Sequence, residues 1–118
     1  MRPISAILAS TAIICAAPLA AQAIQQGTYV NDDDSARWIF GSGTGQFIQT
    51  QSINGNPGRI IIEFEYSVSG GTLKYRQTRI SLVDHPAARS KALDESFSEP
   101  IEIRPGAIVI GGKIYRRQ

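Results

Sequence analysis

Between residues 59 and 68 every second side chain is apolar: Ile60, Ile62, Phe64, Tyr66 and Val68, with Glu63, Glu65 and Ser67 interleaved. Successive side chains of a strand point to opposite faces, so this period of two describes a strand with one face on a core and one in water. Gly70 and Gly71 follow directly. Two glycines accept positive φ at both central positions of a tight hairpin, so residues 72–83 return antiparallel to the first strand. The returning strand slips in phase: Leu73 and Tyr75 are odd, Ile80 and Leu82 even. A bulge or bend near Gln77 and Thr78 accounts for the slip.

The same punctuation divides the rest of the chain. Residues 28–30, 37–40 and 46–53 read as shorter strands, with turns at residues 31–35, 41–45 and 54–58. Residues 101–104, 107–110 and 113–116 read as closing strands, separated by Pro105-Gly106 and Gly111-Gly112. Between the hairpin and these strands, Asp84 caps a short helix with Pro86 in its first turn, running through Ala87, Ala88, Arg89, Lys91, Ala92 and Leu93. No internal repeat or linker breaks this pattern. The expected fold is all-β, an antiparallel meander with one short helix, curled into a small up-and-down barrel because closure removes exposed sheet edges.

Ahead of the strands, Arg2 precedes an apolar stretch over residues 4–19, and Ala21-Gln22-Ala23 sets small residues at the −3 and −1 positions of a cleavage site. Residues 1–23 therefore read as a secretory signal peptide and residues 24–118 as a single domain, periplasmic or secreted after cleavage following Ala23. The competing reading is an uncleaved membrane span, which Pro18 and Gln22 interrupt. Cys15 follows Ile13 and Ile14 rather than the small residue a lipid-anchor signal wants, so no stable membrane anchor is expected. Cys15 is also the only cysteine, and its removal leaves no thiol. A domain of this size without disulfides depends on sheet hydrogen bonds and one apolar core. Without Arg2 the basic side chains outnumber the acidic ones by one, a balance that gives no electrostatic case for nucleic acid.

Gly27-Thr28-Tyr29 at the first strand, the segment Tyr66-Ser67-Val68-Ser69-Gly70-Gly71-Thr72-Leu73, and the final Ile108-Val109-Ile110-Gly111-Gly112-Lys113-Ile114-Tyr115-Arg116 resemble the lipocalin-like group of small exported bacterial β-barrels. In that family a Gly-x-Trp on the first strand packs beneath an Arg of the last strand. The resemblance implies that Tyr29, standing where the family has Trp, makes the closure contact with Arg116 or Arg117.

Several groups carry candidate chemistry. His85, the only histidine, stands beside Asp84, which can orient an imidazole for proton transfer; the alternative is an exposed residue at a helix start. Asn31, Asp32, Asp33 and Asp34 offer oxygen ligands to a hard cation or make a solvated turn; no metal and no other cofactor is expected. Glu63 and Glu65 lie about 7 Å apart on one strand face, spaced as an acid and base pair or as partners of Lys74, Arg76 or Arg79 across the hairpin. Gly41-Ser42-Gly43-Thr44-Gly45 lacks the lysine and helix of a phosphate loop and reads as a hairpin connection. Trp38, Phe40, Phe47, Tyr66, Tyr75 and Phe97 either line a ligand cavity or fill the barrel, since eight strands leave room for one or the other.

These readings converge on a non-catalytic, monomeric exported protein that binds a small apolar molecule through Trp38, Phe40, Phe47, Tyr66 and Tyr75. The alternatives are an interaction or inhibitor module for another exported protein and a small hydrolase using His85 or Glu63 with Glu65.

Overall fold

The computed structural model describes residues 23–118. Eight strands follow one another: β1 (Gly27–Val30), β2 (Ala36–Phe40), β3 (Thr44–Ile53), β4 (Asn56–Ser69), β5 (Thr72–Val83), β6 (Arg89–Arg104), β7 (Ala107–Ile110) and β8 (Lys113–Arg117). Each pairs antiparallel with the next, and β8 returns to β1 through Tyr29 opposite Arg117 and Val30 opposite Arg116, closing the sheet into a ring. The signal-peptide expectation falls on residues outside those described, apart from Ala23.

The β4–β5 hairpin forms as the alternation requires, with Ser69 opposite Thr72 across Gly70 and Gly71. The turn expected over residues 54–58 is shorter than read. Asn54 and Gly55, with φ of 51° and 81°, make it alone, and Asn56 already pairs with Ile53. An Asn-Gly pair supplies positive φ at both central positions, which matches the twist of the flanking strands.

Register sets the core in rows across the inward face. One row runs Trp38, Phe47, Ile62, Ile80; the next runs Phe40, Gly45, Phe64, Gln77; a third holds Tyr66, Tyr75 and Phe97. Gly45 is the fitted piece of the second row. A Cβ there would lie 2.4 Å from the Ile39 carbonyl oxygen and 2.8 Å from the Phe64 ring, so only glycine admits Phe64 to the centre. Phe40, Leu73 and Ile108 are fully buried, and no charged or polar residue is buried among the described residues.

The phase slip is a bulge. Glu63 pairs with Arg79 but Phe64 with Gln77, leaving Thr78 extra, and its hydroxyl donates to the Glu63 carbonyl at 3.2 Å. β6 shifts register at the same level, between its pairs to Gln77 and Arg79. Beyond this line the sheet outruns its neighbours. β2 pairs with β3 only as far as Gln49, and β7 covers β6 only over residues 101–104. Residues 50–53, 56–62, 79–83 and 89–92 thus form a four-stranded arm, continuous with the ring; β2 reaches it only as far as the row Ala36, Gln49, Ile60, Leu82, and no strand flanks β6 over residues 89–92.

The short helix expected after Asp84 is absent: among the described residues there is none. Asp84 takes φ 55° and bonds Arg59 instead of capping, Ala88 N–H closes one turn onto the His85 carbonyl at 3.0 Å, and β6 starts at Arg89. A helix of two turns is marginal by itself, whereas residues 89–92 as a strand complete a ladder on β5, with Arg89 opposite Leu82 and Lys91 opposite Ile80.

Candidate functional site

The five aromatics expected to line a ligand cavity pack against one another. Trp38 stacks on Phe40 with ring centroids 5.7 Å apart, meets Phe47 at 4.8 Å and stands edge-on to Tyr75 at 6.0 Å; Phe40 meets Tyr66 at 5.0 Å. Their polar handles are turned to the protein: Tyr66 donates to the Gly41 carbonyl at 2.7 Å and Tyr75 to the Glu99 carboxylate. The exception is Trp38 Nε1, buried without a hydrogen-bond partner, an omission that costs roughly 1–3 kcal/mol. Burial raises the Tyr29, Tyr66 and Tyr75 phenols above their ordinary value, and the Glu99 carboxylate raises Tyr75 further.

At the ring closure, Arg117 shares the face of Tyr29. Its guanidinium donates twice to the Gln26 carbonyl, at 2.8 and 3.3 Å, over Gly27, where a Cβ would come within 3.0 Å of Nε. Arg116 points to the other face, 3.6 Å from Asp32.

His85 spends both ring nitrogens on backbone. Ala87 N–H donates to Nδ1 at 3.0 Å, which leaves Nε2 as the protonated nitrogen, donating to the Ile53 carbonyl at 2.8 Å. Asp84, its supposed orienting partner, pairs with Arg59 at 2.7 Å. The ring rests on Gly58 and Leu82, in space that a Cβ on Gly58 would contest at 3.2–3.3 Å. His85 thus ties the β3–β4 turn to the β5–β6 turn, and neither nitrogen is free to accept a proton from a hydroxyl. Glu65 pairs with Arg76 at 2.8 Å, and Glu63 sits opposite Arg79. In the first turn Asp33 accepts from the Ser35 hydroxyl and amide, which holds its carboxyl below the usual range, while Asp34 pairs with Arg37 at 2.8 Å. The turn binds itself, and no cluster of three metal-ligating side chains exists among the described residues.

An apolar cavity lies elsewhere, on the arm. It measures about 360 Å³ and is lined by Ile53, Ile60, Ile80, Leu82, Ser81, Arg89, Ser90 and Lys91. Ile80 shares its row with Ile62, Phe47 and Trp38, so the cavity begins where the aromatic packing ends. The chain matches no protein-family model, no curated protein and no solved structure. What the site can do therefore rests on its own geometry.

None of the five expected aromatics lines this cavity. Two of them, Tyr66 and Tyr75, border a different depression, shallow and rimmed by Glu65, Lys74 and Arg76. The residues that make the arm cavity were legible as strand residues with an inward face, but not as a site, because the cavity lies where β6 runs past β7, a matter of strand length rather than of local pattern.

Proposed function

We propose that this chain is an exported, non-catalytic binding protein with a lipocalin-like barrel, and that its ligand is a small apolar molecule held in the arm cavity. The observation that carries the reading is the cavity itself. Its volume of about 360 Å³ falls in the range of small-molecule sites, which join apolar walls to a few polar groups. Ile53, Ile60, Ile80 and Leu82 supply the walls, all of them half-buried. The aromatic core takes the part of a rigid floor. Titration with the neutral fluorophore N-phenyl-1-naphthylamine tests the site: I60Q with I80Q is expected to weaken binding about tenfold, since each substitution puts an amide where an apolar wall stood. Unchanged affinity in that double variant removes the arm from the proposal. Export itself is read from the mass of the protein recovered outside the cytoplasm, expected to begin at Ile24, whose side chain packs in the core.

A second reading, as an interaction module for another exported protein, is favoured by the outer edge of β6. Residues 89–100 have a strand neighbour on one side only, and an unpaired edge is a template for another strand. Phe97, 42% exposed and stacked on Tyr75 at 5.5 Å, lies on that strand. Co-purification of a partner that F97D abolishes, with fluorophore binding unaffected, separates this reading from the first.

A further inference from the structure

We infer that the arm cavity selects an amphiphile with an anionic head group, a carboxylate or phosphate monoester on an apolar body; this rests on the reading of the cavity as the binding site. Two of its lining residues, Arg89 and Lys91, are cations on the inward face, directly opposite Leu82 and Ile80. Residues directly opposite on one face have Cβ atoms about 5 Å apart, so each positive charge is rooted beside an apolar wall residue. Of the other described arginines, Arg37, Arg59, Arg76, Arg104 and Arg116 each have a carboxylate within 3.6 Å, while Arg79 donates to the Ser90 hydroxyl and Arg117 to the Gln26 carbonyl. Arg89 and Lys91 have no carboxylate within ion-pair distance among the described residues. Their nearest acidic neighbours in sequence are engaged, Asp84 by Arg59 and Asp94 by Arg76.

Ser81 and Ser90 alternate with Ile80, Leu82, Arg89 and Lys91, so their hydroxyls point to the opposite face and are engaged there. The Ser81 hydroxyl donates to Ser90 Oγ at 3.2 Å, and Arg79 donates to the same oxygen at 2.8 Å. The two cations are therefore the charged, solvent-exposed side chains of a cavity whose walls are otherwise apolar. They stand two residues apart on one strand face, about 7 Å along it, a spacing at which one anionic head reaches both. A carboxylate or phosphate between them gains charge-assisted hydrogen bonds that no neutral head group forms. The chain of the amphiphile then lies along Ile60, Ile80 and Leu82.

Calorimetric titration of the full chain at low salt and pH 8 with decanoate, decyl phosphate and decan-1-ol tests this. Both anions are expected to bind about tenfold tighter than the alcohol. R89Q with K91Q is expected to bring the anions and the alcohol to one common affinity, with the melting temperature as the check on folding. Equal affinity of the unsubstituted chain for all three, or a preference that survives the double variant, overturns the head-group inference and leaves the apolar cavity standing. Failure of all three to bind overturns both. A further arm uses phosphatidylglycerol vesicles: sedimentation with vesicles without binding of free decanoate assigns the cations to a membrane surface and overturns the inference as well.

Discussion

β4 and β5 run through both parts of the molecule, and the same two strands behave differently on either side of Thr78. In the ring, Phe64, Tyr66 and Tyr75 meet aromatics on β2 across a closed interior. In the arm, Ile60, Ile80 and Leu82 face inward, are half-buried, and their rows end at cations on β6. Alternation is identical in the two parts. The difference lies in the lengths of other strands, since β1, β2, β7 and β8 have four or five residues each while β3 to β6 have ten to sixteen. A sheet thus acquires an open inward face simply by outlasting its partners.

Truncating one residue in each part puts the comparison to its hardest test. Phe40→Ala removes a ring in contact with Tyr29, Trp38, Phe64 and Tyr66 and is expected to cost about 3–5 kcal/mol, as large-to-small changes in filled cores do. Ile80→Ala on the arm is expected to cost about 1 kcal/mol, because its side chain is only partly removed from water. Urea midpoints measure both. Comparable losses would mean that the arm is as integral to the folded core as the ring.

Gly45→Ala sharpens the ring side. The new methyl meets backbone at Ile39 and the Phe64 ring at distances no Cβ tolerates, and overpacking of this kind costs typically 1–3 kcal/mol. Gly43→Ala, two residues away with open space around it but a φ of 76°, separates steric fit from backbone preference. A loss no larger at Gly45 than at Gly43 would show that Phe64 can yield.

The sequence made the hairpin legible because two signals agreed, alternation on β4 and the paired glycines; it also made the bulge legible, because Leu73 and Ile80 cannot share a face without an extra residue. The start of β6 was illegible for a physical reason. Ala88, Ala92 and Leu93 space as on a helix, and a strand whose inward positions carry Arg89 and Lys91 shows no apolar alternation. Trp38, Phe40, Phe47, Tyr66 and Tyr75 read as inward residues, without a choice between filling and lining. That choice depends on Gly45 and on the turns ahead of β2 and β7, features whose consequences are spatial and leave no local pattern.

The raised phenols predict a pH dependence confined to the ring. An unfolded phenol ionises near pH 10, whereas Tyr29, Tyr66 and Tyr75 hold their protons to higher pH when folded. The unfolded state then releases protons that the folded state keeps, so the stability they contribute is full below about pH 10 and falls as pH rises through the folded values. Tyr75→Phe is expected to cost about 1 kcal/mol at pH 8, where Glu99 loses its donor, and to make the alkaline fall shallower. Denaturant midpoints between pH 8 and 11 check it; an unchanged alkaline slope would remove Tyr75 as a contributor.

The smallest effects belong to the closure, where two adjacent arginines differ by face. Arg117 gives two hydrogen bonds to the Gln26 carbonyl and lies over Gly27, beside Tyr29, whose hydroxyl donates to the Gln25 carbonyl at 2.8 Å. It ties the segment ahead of β1 to the last strand, and Arg117→Ala is expected to lower stability by about 1 kcal/mol, nearly unchanged in salt because the acceptor is a neutral carbonyl. Arg116 meets Asp32 at 3.6 Å with both side chains mostly in solvent, so Arg116→Ala is expected to cost about 0–0.5 kcal/mol and nothing at high ionic strength. Melting temperatures of the two variants in low and high salt decide the matter. Equal losses would mean that closure is held by net positive charge at the chain end, whereas a loss confined to Arg117 assigns it to one guanidinium fitted over one glycine.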